Sequence, residues 1–208
     1  MLSAAMVFAP VSRGEVFSDA AALADAQPFA ATNECFLPVG AFGLLQSGSW
    51  NAAGTVELID QNWSLLTGHQ VNSQPFDAVR ITFRSPAGNS ILARVRADAI
   101  YVHPGCSDGF YDWGDDITLL HLAAPIANIT PVVRFRGVDV RGTTYCAGGF
   151  GCPGVAGLVT NLVYDGVKRA GMSVSDCFGG DSALPGQGRQ YVGAEFDNPG
   201  SWRAIPRE

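Results

Sequence analysis

The sequence predicts an all-β protein, and three observations predict it. First, 25 glycines and 12 prolines in 208 residues interrupt the chain too often for long helices and suit one built from turns. Second, six short runs of alternating apolar character recur between residues 39 and 122 at spacings of eight to fifteen residues, the rhythm of a small closed barrel. Third, 47% of the residues are hydrophobic and only 15% charged, enough apolar surface to offset the ordering entropy of a packed core. A chain of this length suits one mid-sized domain or two small barrels sharing an interface.

The elements follow in order. The opening MLSAAMVFAP is apolar, but it is short and has no basic stretch before it. Residues 1–35 therefore read as an N-terminal segment: a signal-peptide remnant or frayed tail, then one short helix. Ser18 caps that helix over Asp19–Ala26, an alanine-rich run with an aspartate in its first turn, and after Gln27-Pro28 the pattern changes to β-type runs. Strands are expected over Val39–Leu45, Gly54–Ile59, Trp63–Thr67, Ala78–Phe83, Ile91–Ile100 and Ile117–Leu122. Turns at Gly48-Ser49, Asp60-Gln61-Asn62 and Ser85–Gly88 separate them. Residues 36–125 thus form a first barrel. Beyond the connector Pro125–Asn128 only four further strands are expected, over Val132–Arg136, Thr143–Ala147, Gly166–Val174 and Tyr191–Phe196, so residues 126–208 read as an incomplete second barrel.

Charge and cysteine usage exclude several function classes. A net charge of −6 offers no cationic surface for phosphates, so nucleic acid is not an expected partner. No apolar run reaches the roughly 18 residues a membrane-spanning helix needs. The five cysteines, Cys35, Cys106, Cys146, Cys152 and Cys177, include no pair at zinc-knuckle spacing, and the three histidines add no ligand cluster. Neither a metal nor another cofactor is expected. Cys146 and Cys152 flank a glycine-rich bend and are placed for a local disulfide in an oxidising compartment.

Chemistry concentrates in the first barrel. Thr67-Gly68-His69 ends an apolar strand, which puts His69 at a strand exit where a side chain can face a cleft. Asp116 precedes the apolar run ITLLHL, which sets a carboxylate at the mouth of a buried strand. A carboxylate that accepts from one imidazole nitrogen fixes the tautomer and leaves the other nitrogen to act as a general base. His103 and His121 read as structural, and Asp115 as turn chemistry.

From about Gly40 to Pro199 the sequence resembles the trypsin/chymotrypsin-like serine peptidases. GTVELIDQNWSLLTGHQV is similar to the family segment that carries the catalytic histidine, which implies that His69 is the base. YVHPGCSDGFYDWGDDITLLHLAAPI is similar to the segment of the orienting aspartate, which implies Asp116 for that role, with His103 on a structural position. The family strand written G-W-G or G-Y-G is matched by GFG at Phe150. Lys168–Gly171 and Phe196–Pro199 are most similar to a bacterial-type branch. The resemblance implies a chymotrypsin-like double β-barrel, a polypeptide substrate, hydrolysis through an acyl-enzyme, and a secreted or periplasmic location. Gln70 stands where many members carry a cysteine, so the disulfide beside the base is absent, and Thr67-Gly68 replaces the usual T-A-A.

The family nucleophile lies in G-D-S-G-G-P, and this chain has one Gly-Asp-Ser, in CFGGDSALPG at Ser182. Ala183 and Leu184 replace the glycines that follow the serine and would crowd the loop that presents it. The expectation is therefore that Ser182 is a loop serine and that the nucleophile lies beyond Glu208, the chain being truncated. Two alternatives stand beside an active endopeptidase. One is a catalytically inactive fragment or peptide-binding homologue. The other is a secreted carbohydrate-binding module using Trp50, Trp113 and Trp202.

Overall fold

A computed structural model describes residues 15–17, 20–72, 75–85, 87–88, 90–106, 115–133, 136, 142–155, 164–174, 177–179 and 191–193. Along these the chain forms β1 (Glu15–Phe17), α1 (Ala20–Thr32), a 3-10 turn (Glu34–Phe36), β2 (Val39–Gln46), β3 (Ser49–Asp60), β4 (Trp63–Leu66) and α2 (His69–Asn72). It continues through β5 (Ala78–Arg84), β6 (Ser90–Val102), β7 (Thr118–Leu122), β8 (Thr144–Gly149), β9 (Pro153–Val155), β10 (Arg169–Val174), β11 (Cys177–Gly179) and β12 (Tyr191–Gly193).

Strands β2 to β7 are the six runs read from the sequence. They close into a barrel in the order β2-β3-β4-β7-β6-β5, antiparallel throughout. Closure pairs every edge, which an open sheet of this size would leave exposed. Alternation decides the inside: on β5, Val79, Ile81 and Phe83 are buried while Arg80 and Thr82 are only partly so. Phe42, Leu44, Val56, Leu58, Leu120 and Leu122 belong to the same core, as do Ile126 of the connector and Ile129 just beyond it. Burial of each large side chain contributes about 1.5–3 kcal/mol.

The β2–β3 hairpin turns at Ser47-Gly48, one residue before the expected position. Both residues have positive φ, 50° and 79°, as a two-residue hairpin turn of this hand requires. So tight a turn lets β3 pair from Ser49 onward, five residues before the expected start at Gly54.

Helix α1 runs six residues past its expected end and contains Pro28. Ala26 and Ala30, one turn apart, are buried on either side of that proline. Ala30 joins Phe36, Val39 and Ala170 in a second apolar cluster, with Phe29 and Phe36 in edge contact at 5.7 Å between ring centres. This burial offsets the roughly 3 kcal/mol that an interior proline costs. Ser18 and Asp19 lie outside the described residues.

Beyond the barrel, β8 pairs antiparallel with β10, β9 parallel with β1, and β11 antiparallel with β12. Among the described residues these pairs do not close into a second barrel. Val132 and Val133 are in no strand, contrary to the expectation for Val132–Arg136. Pro131 supplies no N–H, and the Val132 N–H instead bonds the Leu58 carbonyl at 2.9 Å, lacing the connector to the barrel. Cys146 and Cys152 are separate thiols, so the expected bridge is not formed. Cys146 packs against the second apolar cluster instead. No helix among the described residues is long and apolar enough to cross a membrane.

Candidate active site

Antiparallel pairing of β4 with β7 builds the site. Leu66, the last residue of β4, lies opposite Thr118, the first of β7. A residue just after β4 and one just before β7 must therefore meet at the same end of the barrel, although 47 positions separate them. Those residues are His69 and Asp116. His69 does not lie in a plain loop: it opens the one-turn helix α2, in which the N–H groups of Val71 and Asn72 both bond the Gly68 carbonyl at 3.0 Å. Val71 is buried and anchors the turn to the core.

The Asp116 carboxylate grips the histidine at two points. Its Oδ2 lies 2.6 Å from His69 Nδ1, and its Oδ1 accepts the His69 backbone N–H at 2.7 Å. An ionised carboxylate only accepts, so Nδ1 carries the proton and Nε2 presents a lone pair. The side chains are 25% and 31% exposed, which leaves the pair reachable from solvent while the backbone bond fixes its geometry.

The structure also shows contacts that sequence reasoning missed. Cys106 Sγ lies 3.8 Å from Asp116 Oδ1, and Asn72 Nδ2 donates to the Cys106 carbonyl at 3.3 Å. A Cβ placed on Gly68 would collide with Cys106 Sγ and come within 3.3 Å of Asp116 Oδ1. Gln70, in place of the family cysteine, lays its side-chain amide across Gly54 of β3, in the space a Cβ there would take. Gly68→Ala is therefore expected to cost about 1–3 kcal/mol by overpacking. Adding Cys106→Ala should recover part of that loss, as read from urea midpoints.

The other histidines are held elsewhere. His103 Nδ1 accepts the Gly105 N–H at 3.2 Å and lies 3.5 Å from Asp115 Oδ1, while the His103 backbone N–H donates to the Ile117 carbonyl. His121 stacks edge-on against Trp63, 4.6 Å between ring centres. Trp50 carries the Arg80 guanidinium over its ring at 4.6 Å. Ser182, Trp113 and Trp202 lie outside the described residues. No group of three or more His, Cys, Asp or Glu among the described residues is arranged to hold a metal ion.

No family model matches the chain, and no curated protein matches it. Among solved structures it is similar to neuropsin, a serine protease expressed in the limbic system of mouse brain, with a TM-score of 0.53 and 13% identity over 71% of this chain and 63% of that one. It is also similar to GrC, with a TM-score of 0.51 and 14% identity over 70% of this chain and 63% of that one. The fold is chymotrypsin-like. At these identities the likeness speaks for the fold alone, and the chain spans less than two thirds of either neighbour's length.

Proposed function

We propose that this chain carries the general base and its orienting carboxylate of a trypsin-like serine endopeptidase of a bacterial-type branch, secreted or periplasmic. The observation that carries the reading is the Asp116 carboxylate holding both the ring and the backbone of His69 at one end of a closed antiparallel barrel. With Nδ1 committed to Asp116, Nε2 takes the proton of a serine hydroxyl as it attacks the scissile carbonyl, then returns it to the leaving amine. Asp116 stabilises the imidazolium between the two transfers. Backbone N–H groups beside the serine hold the oxyanion.

The nucleophile is assigned to a serine outside residues 1–208, because Ala183 and Leu184 follow Ser182 where the family motif has glycines. A serine-reactive phosphonate, with peptide mapping, tests the assignment. The 208-residue chain should carry no adduct at Ser182, and an adduct there would overturn the placement. The activity itself is tested on the whole product of the natural reading frame. It should hydrolyse casein, and His69→Ala should lower kcat/KM by about 10⁴-fold or more. Equal cleavage by the variant would refute the reading.

A further inference from the structure

Cys106 belongs to neither barrel strand nor helix, yet it touches both Asp116 and the helical turn that carries His69. Its thiol stands 3.8 Å from Asp116 Oδ1, the oxygen that also accepts the His69 backbone N–H at 2.7 Å. Its carbonyl accepts Asn72 Nδ2 at 3.3 Å, and Asn72 closes the single helical turn that His69 opens. Its own N–H bonds the His103 carbonyl at 2.9 Å, and the His103 N–H bonds the Ile117 carbonyl at 2.9 Å, next to Asp116 in sequence. Gly68 lacks the methyl that would displace the sulfur.

We propose that Cys106 is a positioning residue, a strut that ties the short helix bearing His69 to the Asp116 carboxylate and holds that carboxylate in the plane His69 Nδ1 needs. The inference rests on the reading of His69 and Asp116 as the catalytic pair. A one-turn helix has little stability of its own, so its alignment has to come from such tethers. The thiol is a weak donor, but a donor to a charged acceptor gains from the charge. Cys106 touches neither substrate nor the transferred proton, and it acts through Asp116.

The test reads the His69 Nδ1 proton by NMR in the 208-residue chain, where no turnover is needed. In the unmodified chain this proton should be protected from exchange with solvent. Cys106→Ala should speed its exchange about three- to ten-fold, the scale of one modest hydrogen bond. Cys106→Ser restores a donor of similar size and should bring exchange back toward the starting rate. In the whole peptidase, Cys106→Ala should lower kcat by a similar factor with KM unchanged. Exchange in Cys106→Ala equal to that of the unmodified chain would overturn the strut, as would exchange in Cys106→Ser as fast as in Cys106→Ala. Protection lost in Cys106→Ala and regained in Cys106→Ser, in a whole product that cleaves no peptide, would keep the strut and remove the peptidase reading.

Discussion

On the proposed function, replacing Asp116 by asparagine is expected to lower kcat for peptide hydrolysis by about 10⁴-fold, the cost of the same exchange in the Ser-His-Asp template, while leaving the fold intact. Asparagine is nearly isosteric, and its carbonyl can still accept the His69 N–H that Asp116 Oδ1 now takes at 2.7 Å. The difference falls on the other atom. Where Oδ2 now faces Nδ1 at 2.6 Å, an amide NH₂ would present a second donor. The ring answers by moving its proton to Nε2, and the lone pair that the proposed mechanism needs is lost. The loss corresponds to roughly 5 kcal/mol of transition-state stabilisation. Steady-state kinetics should show it in kcat, with KM nearly constant, because the exchange moves a proton on the ring and leaves side-chain volume unchanged. A loss below ten-fold would mean that Asp116 does not set the tautomer.

The barrel and the pair were both legible in the sequence. A half-buried strand advertises its buried face every second residue, as Val79, Ile81 and Phe83 do, and antiparallel order then fixes which strand ends meet. His69 and Asp116 were singled out by their places at strand ends and by the family resemblance of their two segments, and the pairing of β4 with β7 brings them together. What was not legible depends on partners distant in sequence. Pro28 reads as a helix stop because the burial of Ala26 and Ala30 that overrides it involves β10, well over a hundred residues away. β1 and β9 are three-residue strands that exist only through their mutual pairing, and neither has a period to read. Cys106 was counted among cysteines without an assigned partner, because its place against Gly68 and Asp116 comes from loop closure that no spacing encodes. Glu57 occupies the polar phase of the alternating run GTVELI, but the face it lies on is covered.

That covered carboxyl leads to the second large expected effect: Glu57→Gln should stabilise the chain by roughly 2–3 kcal/mol at pH 8 and leave it nearly unchanged at pH 4. Glu57 lies on β3 between Val39 of β2 and Leu65 of β4. Val56 and Leu58 point into the barrel, so Glu57 points out of it. Thr55, on the same face, accepts the Phe150 N–H at 2.9 Å, so the segment after β8 covers this part of the barrel wall, and Glu57 is only 4% exposed. Among the described residues its Oε2 has no hydrogen-bond partner. Burial pushes its pKa up from 4.5 to about 7. Below pH 4.5 the group is neutral in both folded and unfolded chains and costs nothing. Between 4.5 and 7 the unfolded chain gives up its proton first, so stability falls as pH rises, and above 7 the full deficit persists. Lys168 runs the other way. Its Nζ donates to the Phe36 carbonyl at 2.7 Å, and burial lowers its pKa from 10.5 to about 8. From pH 8 to 10.5 the unfolded chain holds the extra proton, and stability rises again with pH. The chain should therefore show a stability minimum near pH 7 to 8. Urea midpoints at pH 4, 6, 8 and 10 would trace it, and Glu57→Gln should flatten the acid side while leaving the alkaline rise in place. A variant with the same fall between pH 4 and 7 as the unmodified chain would mean that Glu57 meets water and that its face of the barrel is open.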